Sequence, residues 1–290
     1  MAPEITETDH GPVEHVVLGD GPPVLVVHGS PGGFDQGVAM AGFLVDAGFR
    51  AVVPSRPGYL GTPLEGRESI DAQADLHAAL LDSLAIARAG VLCWSGGGPS
   101  TYRLGIRHPD RVGAIVALAG VSRAYDSYHP DVPTRLIMNT RGGNWVLRMM
   151  AAHAPKSLIA STLGSEGDLS KAELKELTRA VFDDERKRRF VLDLDATVGL
   201  GGNDRTAGMD NDLEQYGAIE SLELEKISAP TLLVHGAADT DVPPEHSGFA
   251  ACAIPGADLV SVPHGTHLAF YTDATADELQ SRALQHLRAL

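Results

Sequence analysis

Apolar residues gather along this chain in short unbroken runs rather than in strict alternation with polar ones. Val24 to Val27, Ala51 to Val53, Val91 to Trp94, Val112 to Leu118 and the stretch opening at Thr231 each read as a strand buried on both faces. Between the runs the apolar period lengthens. Ser69 to Ala87 spaces its apolar residues three and four apart, with Asp71 and Asp75 in its early turns, which predicts an amphipathic helix. Phe43 to Ala47, stopped by Gly48, and Pro99 to Arg107 also read as helical, and a last helix is expected from about Asp273 to Leu287. Glu14 to Leu18 predicts an early antiparallel strand before the turn at Gly19-Asp20-Gly21, and Asp258 to Val262 a final one. Strands separated by helices predict a mostly parallel central sheet with helices on both faces, an α/β class.

The pattern breaks after Val121 and returns at Thr231. The interval holds aromatics, an apolar patch from Trp145 to Met150, a charged run from Asp183 to Arg189 and the loop Gly199-Leu200-Gly201-Gly202-Asn203-Asp204, but no buried-strand run. We read residues 122–220 as a helical cap inserted into a core domain built from residues 1–121 and 221–290. The charged run reads as a solvated helix face.

Composition narrows the function classes. A chain of 290 residues can bury a large core. A formal net charge of -15 without a long basic stretch disfavours nucleic acid and anionic membranes as partners. A small-molecule substrate is the expected partner, and homo-oligomerisation stays open. Met1 to Thr8 is acidic and lacks an apolar core, so no secretory signal is expected there. No apolar run approaches transmembrane length. Cys93 and Cys252 give no disulfide framework, and a cytoplasmic location is expected. No histidine–carboxylate cluster has metal-ligand spacing, and the Gly32-Gly33 and Gly96-Gly97-Gly98 clusters lack a nucleotide-loop context, so neither metal nor cofactor is expected.

The chemistry concentrates in four windows. Val91-Leu92-Cys93-Trp94-Ser95-Gly96-Gly97-Gly98-Pro99 describes a strand, a sharp turn and a helix with Ser95 at the apex. The residues two before and two after such a serine, here Cys93 and Gly97, must be small because the turn brings backbones close. The other windows are Val24 to Gly33, a strand entering a glycine-rich loop, Thr231 to Asp239, a strand with an aspartate past its end, and Val262 to Leu268, with histidines after a strand. The order Ser, Asp, His resembles that of the α/β-hydrolase superfamily, and the resemblance runs from about Val24 to the C-terminus, weakest between about Ser122 and Glu220.

The resemblance implies an α/β-hydrolase fold and a serine nucleophile, Ser95, that needs a base in hydrogen-bond reach. Gly265-Thr266-His267-Leu268 is similar to the family's Gly-x-His-Leu ending, which puts the base at His267 and leaves His264 on the loop rim. Asp239 matches the family's Gly-x-x-Asp turn and orients the histidine; Asp241 is the neighbouring alternative, and Asp126 a weaker one after the preceding strand. Gly96 N–H and Ser30 N–H are expected to form the oxyanion hole, since Pro31 has no N–H to give. His28 is read as a brace for that loop, His235 and His246 as structural, and Cys93 and Cys252 as buried small residues. Trp145, Met149 and Met150 are candidates for the substrate pocket, with packing inside the cap as the competing role.

These residues imply a hydrolase cleaving small carboxylic esters or lactones through an acyl-enzyme. His28 to Gly33 is also similar to the proline iminopeptidase branch, which keeps an aminopeptidase or amidase reading open. Cofactor-free base chemistry by His267 and Asp239, such as oxygenation or C–C cleavage, is a further alternative. A free histidine base places the rise of activity at roughly pH 6 to 7.

Overall fold

A computed structural model describes residues 2–125, 141–198 and 205–288. An eight-stranded sheet runs in the order β1-β2-β4-β3-β5-β6-β7-β8. β1 (Glu4–Thr8) pairs antiparallel with β2 (Gly11–Leu18), and β2 antiparallel with β4 (Arg50–Pro54). β3 (Pro23–Val27), β5 (Ala89–Trp94), β6 (Val112–Leu118), β7 (Thr231–Gly236) and β8 (Asp258–Val262) continue it in parallel.

The unbroken apolar runs are explained by what covers them. Val24, Val26, Leu92, Trp94, Leu232 and Val234 face one buried layer; Leu25, Val27, Val91, Cys93, Ile115 and Leu233 face the other. The first layer holds Met40, Phe43 and Leu44 of α1 (Phe34–Asp46) and Leu279 and Leu287 of α11 (Ala276–Arg288). The second holds Leu76, Leu80 and Leu81 of α2 (Ile70–Ser83) and Tyr102 and Leu104 of α3 (Gly98–Arg107). A strand between two such layers has no solvent face on which to alternate.

Two elements extend beyond the sequence pattern. α1 begins nine residues earlier than Phe43 suggests, because Gly37 and Gly42 blur its apolar period. A Cβ on Gly37 would lie 2.3 Å from Val53 Cγ1, so that glycine lets the helix press onto β4. β1 is an exposed edge strand bearing glutamates, a common way to keep a sheet edge from pairing further.

Between β6 and β7 the described residues are helical: α4 (Arg141–His153), α5 (Pro155–Ser165), α6 (Lys171–Asp183), α7 (Glu185–Asp195) and α8 (Thr206–Gly217). α6 opens on a capping box in which Ser170 and Glu173 satisfy each other's backbone N–H groups. The segment docks on the sheet's carboxyl edge through the main chain: Asp168 N–H donates to Ala238 O (2.8 Å), His267 N–H to Glu166 O (2.8 Å), and Gly167 bridges Asp239. α9 (Glu245–Ala253) and the short α10 (Ala269–Thr272) complete the helices. Among the described residues no helix is long and apolar enough to cross a membrane. Asp126 and the loop 199–204 lie outside the described residues.

Candidate active site

The parallel registers bring four strand ends level. Val27 pairs Cys93, Trp94 pairs Leu118, Leu118 pairs Val234, and Gly236 pairs Val262. The loops after β3, β5, β7 and β8 therefore emerge together at the carboxyl edge, where open α/β sheets bind ligands.

Ser95 takes φ 54°, the left-handed region that side chains avoid, as the sharp turn between β5 and α3 demands. A Cβ on Gly97 would lie 2.7 Å from Val27 O and 2.8 Å from His28 O, and one on Gly98 would lie 2.4 Å from Val121 O. The glycines after Ser95 are thus dictated by backbone contact. Cys93 is fully buried, and burial pushes its thiol up to about 12, so it is no nucleophile.

His267 and Asp239 meet. His267 Nδ1–H donates to Asp239 Oδ2 at 2.7 Å, and the His267 ring lies 5.0 Å from the Trp94 ring. Asp239 is held in turn: Oδ1 accepts from Asp241 N–H (2.9 Å) and Val242 N–H (3.0 Å), and His235 Nε2 stands 3.0 Å from Oδ2. Burial alone would raise the Asp239 carboxyl, but the charge of His267 and the hydrogen bonds from His235 and His267 hold it at about 2. Burial would lower His267; Asp239 and Asp241 outweigh it and carry the imidazole up to about 10. Its Nε2 lies 3.3 Å from Asp241 Oδ2 without hydrogen-bond geometry and has no hydrogen-bond partner among the described residues, Ser95 included.

Ser95, Gly96 and Ser30 line one cavity with Asp241, Tyr125 and, from α8, Met209, Leu213 and Tyr216. Ser30 N–H meets no acceptor among the described residues. The loop bearing it is tied down on every side. Gln36 Oε1 accepts from Gly29 N–H (2.7 Å) while its amide donates to Pro31 O (2.8 Å). His28 accepts Arg56 N–H at Nε2 (2.8 Å), which leaves Nδ1–H to donate to Gly29 O (2.7 Å). Burial and the Arg56 charge push its pKa far below the ordinary imidazole value, so it is a neutral brace.

Beneath the loop lies an ion pair that no sequence pattern singled out. Arg56 Nη2 and Asp212 Oδ2 stand 2.6 Å apart, and both side chains are excluded from solvent. Ser30 Oγ–H and Tyr59 O–H donate to the same carboxylate at 2.5 Å, and Arg56 also donates to His28 O (3.1 Å) and Gly29 O (3.1 Å). Tyr216 O–H closes the network onto Gly96 O. Arg205 adds a contact to Gly32 O and an ion pair with Asp35. The available signal was a lone arginine directly after a buried strand, Pro54-Ser55-Arg56, together with Asp212 at helical spacing from Met209 and Tyr216.

Other candidates fall elsewhere. His264 is 78% exposed at the rim. His235 sits between Ser247 and Val242, and His246 accepts from Ser122 N–H. Cys252, expected to be buried, is exposed on the outer side of α9. Trp145 and Met149, expected at the pocket, are 63% and 38% exposed, and neither they nor half-buried Met150 line the cavity at Ser95. α4 packs on α5, whose Leu158, Ile159 and Leu163 already fill the space toward the core, so its apolar stripe is left outside. Glu166, Asp241 and His267, too far apart in the chain to show metal-ligand spacing, bring ligand-capable atoms together beside the cavity.

Comparison with known proteins agrees with this architecture. Residues 22–274 match the family profile described as alpha/beta hydrolase fold. The chain is 29% identical over 256 residues to a pimeloyl-[acyl-carrier protein] methyl ester esterase of Aromatoleum aromaticum, covering 86% of this chain and 92% of that protein. It is 25% identical over 267 residues to an uncharacterized hydrolase of Bacillus subtilis, covering 90% and 89%. The structure of an alpha/beta hydrolase fold protein from Nakamurella multipartita superposes with a TM-score of 0.97 at 50% identity, over 99% of both chains.

Proposed function

The chain belongs to the alpha/beta hydrolase fold family, and from that premise we propose that it is a serine hydrolase that cleaves small carboxylic esters or lactones. The observation that carries the reading is the buried His267–Asp239 pair at the carboxyl edge of the sheet, beside a cavity lined by Ser95, Gly96 and Ser30. Ser95 Oγ attacks the carbonyl carbon as His267 Nε2, in its neutral form, takes the hydroxyl proton. Gly96 N–H and Ser30 N–H donate to the oxyanion of the tetrahedral intermediate. The imidazolium then gives its proton to the leaving alkoxide, and an ester bond joins the acyl group to Ser95. Water, deprotonated by the same histidine, releases the acid. Asp239 accepts Nδ1–H throughout, so the ring keeps its orientation and its charge is offset as it forms. The helical segment, read as a cap, supplies Met209, Leu213 and Tyr216 to the cavity.

A fluorophosphonate probe tests the nucleophile and p-nitrophenyl esters, lactones and aminoacyl anilides the bond cleaved. Labelling is expected at Ser95, and Ser95→Ala and His267→Ala should each lower kcat by about 10⁴ or more, without adding when combined. An unlabelled Ser95, or near-native ester turnover by Ser95→Ala, removes the serine mechanism. Faster turnover of the anilides moves the substrate class to amides.

A further inference from the structure

We infer that Glu166, Asp241 and His267 Nε2 form a zinc site whose occupation arrests turnover by removing the base. The arrest rests on His267 acting as base; the metal binding does not.

The donor atoms come from three segments, the end of α5, the loop after β7 and the loop after β8, and all lie within 4.8 Å of one another. His267 Nε2 and Asp241 Oδ2 are 3.3 Å apart. That separation is about the ligand–ligand edge of a tetrahedron with metal–ligand bonds of ~2.1 Å. It is too poorly aligned for a hydrogen bond, and the Nε2 atom is buried with no hydrogen-bond partner among the described residues, on a side chain only 2% exposed. A buried imidazole nitrogen without a hydrogen-bond partner, gathered with two carboxylates, is a donor set that a dication can occupy once the ring proton leaves.

The opposite ring nitrogen strengthens the case. Nδ1–H donates to Asp239 Oδ2 at 2.7 Å, the carboxylate–histidine arrangement that fixes the tautomer and ring orientation of zinc-bound imidazoles. Asp239 is itself locked by Asp241 N–H and Val242 N–H. The Glu166 main chain is tied to the same residue, since its carbonyl accepts the backbone N–H of His267 (2.8 Å). One imidazole and two carboxylates suit zinc and leave a fourth position for water, whereas magnesium and calcium prefer all-oxygen sites. Asp241 also lines the cavity at Ser95, which gives the ion a way in.

Binding displaces a proton from the imidazole and occupies the lone pair that would accept the Ser95 proton. No bond to substrate is made or broken. The test titrates zinc chloride into metal-stripped enzyme turning over p-nitrophenyl acetate, and into Ser95→Ala protein by calorimetry. Inhibition of about tenfold or more is expected, reversed by EDTA and not reproduced by magnesium or calcium. Glu166→Gln and Asp241→Asn should each raise the zinc needed for half-inhibition, and the calorimetric dissociation constant, by at least about tenfold. Should Asp241→Asn fail to fold, Glu166→Gln decides alone, because it sits on a different element. Zinc that binds Ser95→Ala in a Glu166-dependent way without inhibiting the parent keeps the site and overturns the arrest. Affinity unchanged in both variants, or inhibition independent of them, overturns the site itself.

Discussion

The hydroxyl of Ser30 donates to Asp212 and accepts from Arg56, so the loop proposed to stabilise the oxyanion rests on a buried ion pair. Removing one partner of such a pair costs about 3–5 kcal/mol because the other charge is left uncompensated. Replacing both by apolar residues of similar size is often neutral. The two outcomes separate stability from positioning. Asp212→Asn is expected to lower the melting temperature and kcat together. The double variant Arg56→Met with Asp212→Leu should regain much of the melting temperature, while kcat stays low and KM changes little, because Ser30 has lost both anchors. A double variant with full kcat would reduce the pair to a structural role. Residues of this kind were hidden from the sequence for a physical reason. Arg56 and Asp212 are separated by most of the helical segment, and a lone buried charge has no local partner to mark it. The sharp turn at Ser95, by contrast, was legible because it forces small neighbours within a few residues on either side.

At the scale of elements, α8 lines the cavity at Ser95, where the sequence reading had placed the apolar stripe of α4. Met209, Asp212, Leu213 and Tyr216 recur three and four apart and place one face of α8 on the cavity. Met209→Ala should widen the cavity and raise kcat/KM for longer acyl chains relative to acetyl, by roughly 1 to 3 kcal/mol per methylene accommodated. Met149→Thr on the exposed side of α4 should leave the chain-length profile flat and change stability by no more than about 0.5 kcal/mol. A chain-length series of p-nitrophenyl esters measures both, and a shifted profile in Met149→Thr alone would return the pocket to α4. Periodicity told where helices lie but not which stripe faces the site. The sheet was more legible than the helices, since unbroken apolar runs such as Val24 to Val27 arise only where both faces are covered. α1 was read short because Gly37 packs by lacking a side chain, and an absent side chain leaves no trace in an apolar pattern.

Across the whole molecule, the sheet edge, the docked helical segment and the excess of acid converge on His267. Asp239 from the β7 loop, Asp241 two residues on and Glu166 from the end of α5 surround its ring, and a net charge of -15 lies behind them. Each favours the imidazolium, which burial alone would oppose, and the balance moves the pKa to about 10. In the proposed mechanism only the neutral ring accepts the Ser95 proton, so kcat/KM is expected to rise as pH passes upward through that range, not at the pH 6 to 7 of an unperturbed histidine. The stability owed to the same charge is fully present below about pH 6.5 and is lost as pH rises through about 10. The sources of the shift separate by distance. Asp241→Asn removes a charge 3.3 Å from Nε2 and should move the rising limb to lower pH even in high salt. Added salt screens the remote charges of the surface and should move the parent's limb by less, because contacts shorter than the Debye length of about 10 Å are barely screened. The measurement is kcat/KM against pH at two ionic strengths for the parent and for Asp241→Asn. A parent limb near pH 6.5, or one that Asp241→Asn leaves in place, would mean that the carboxylates around His267 do not control when it becomes a base.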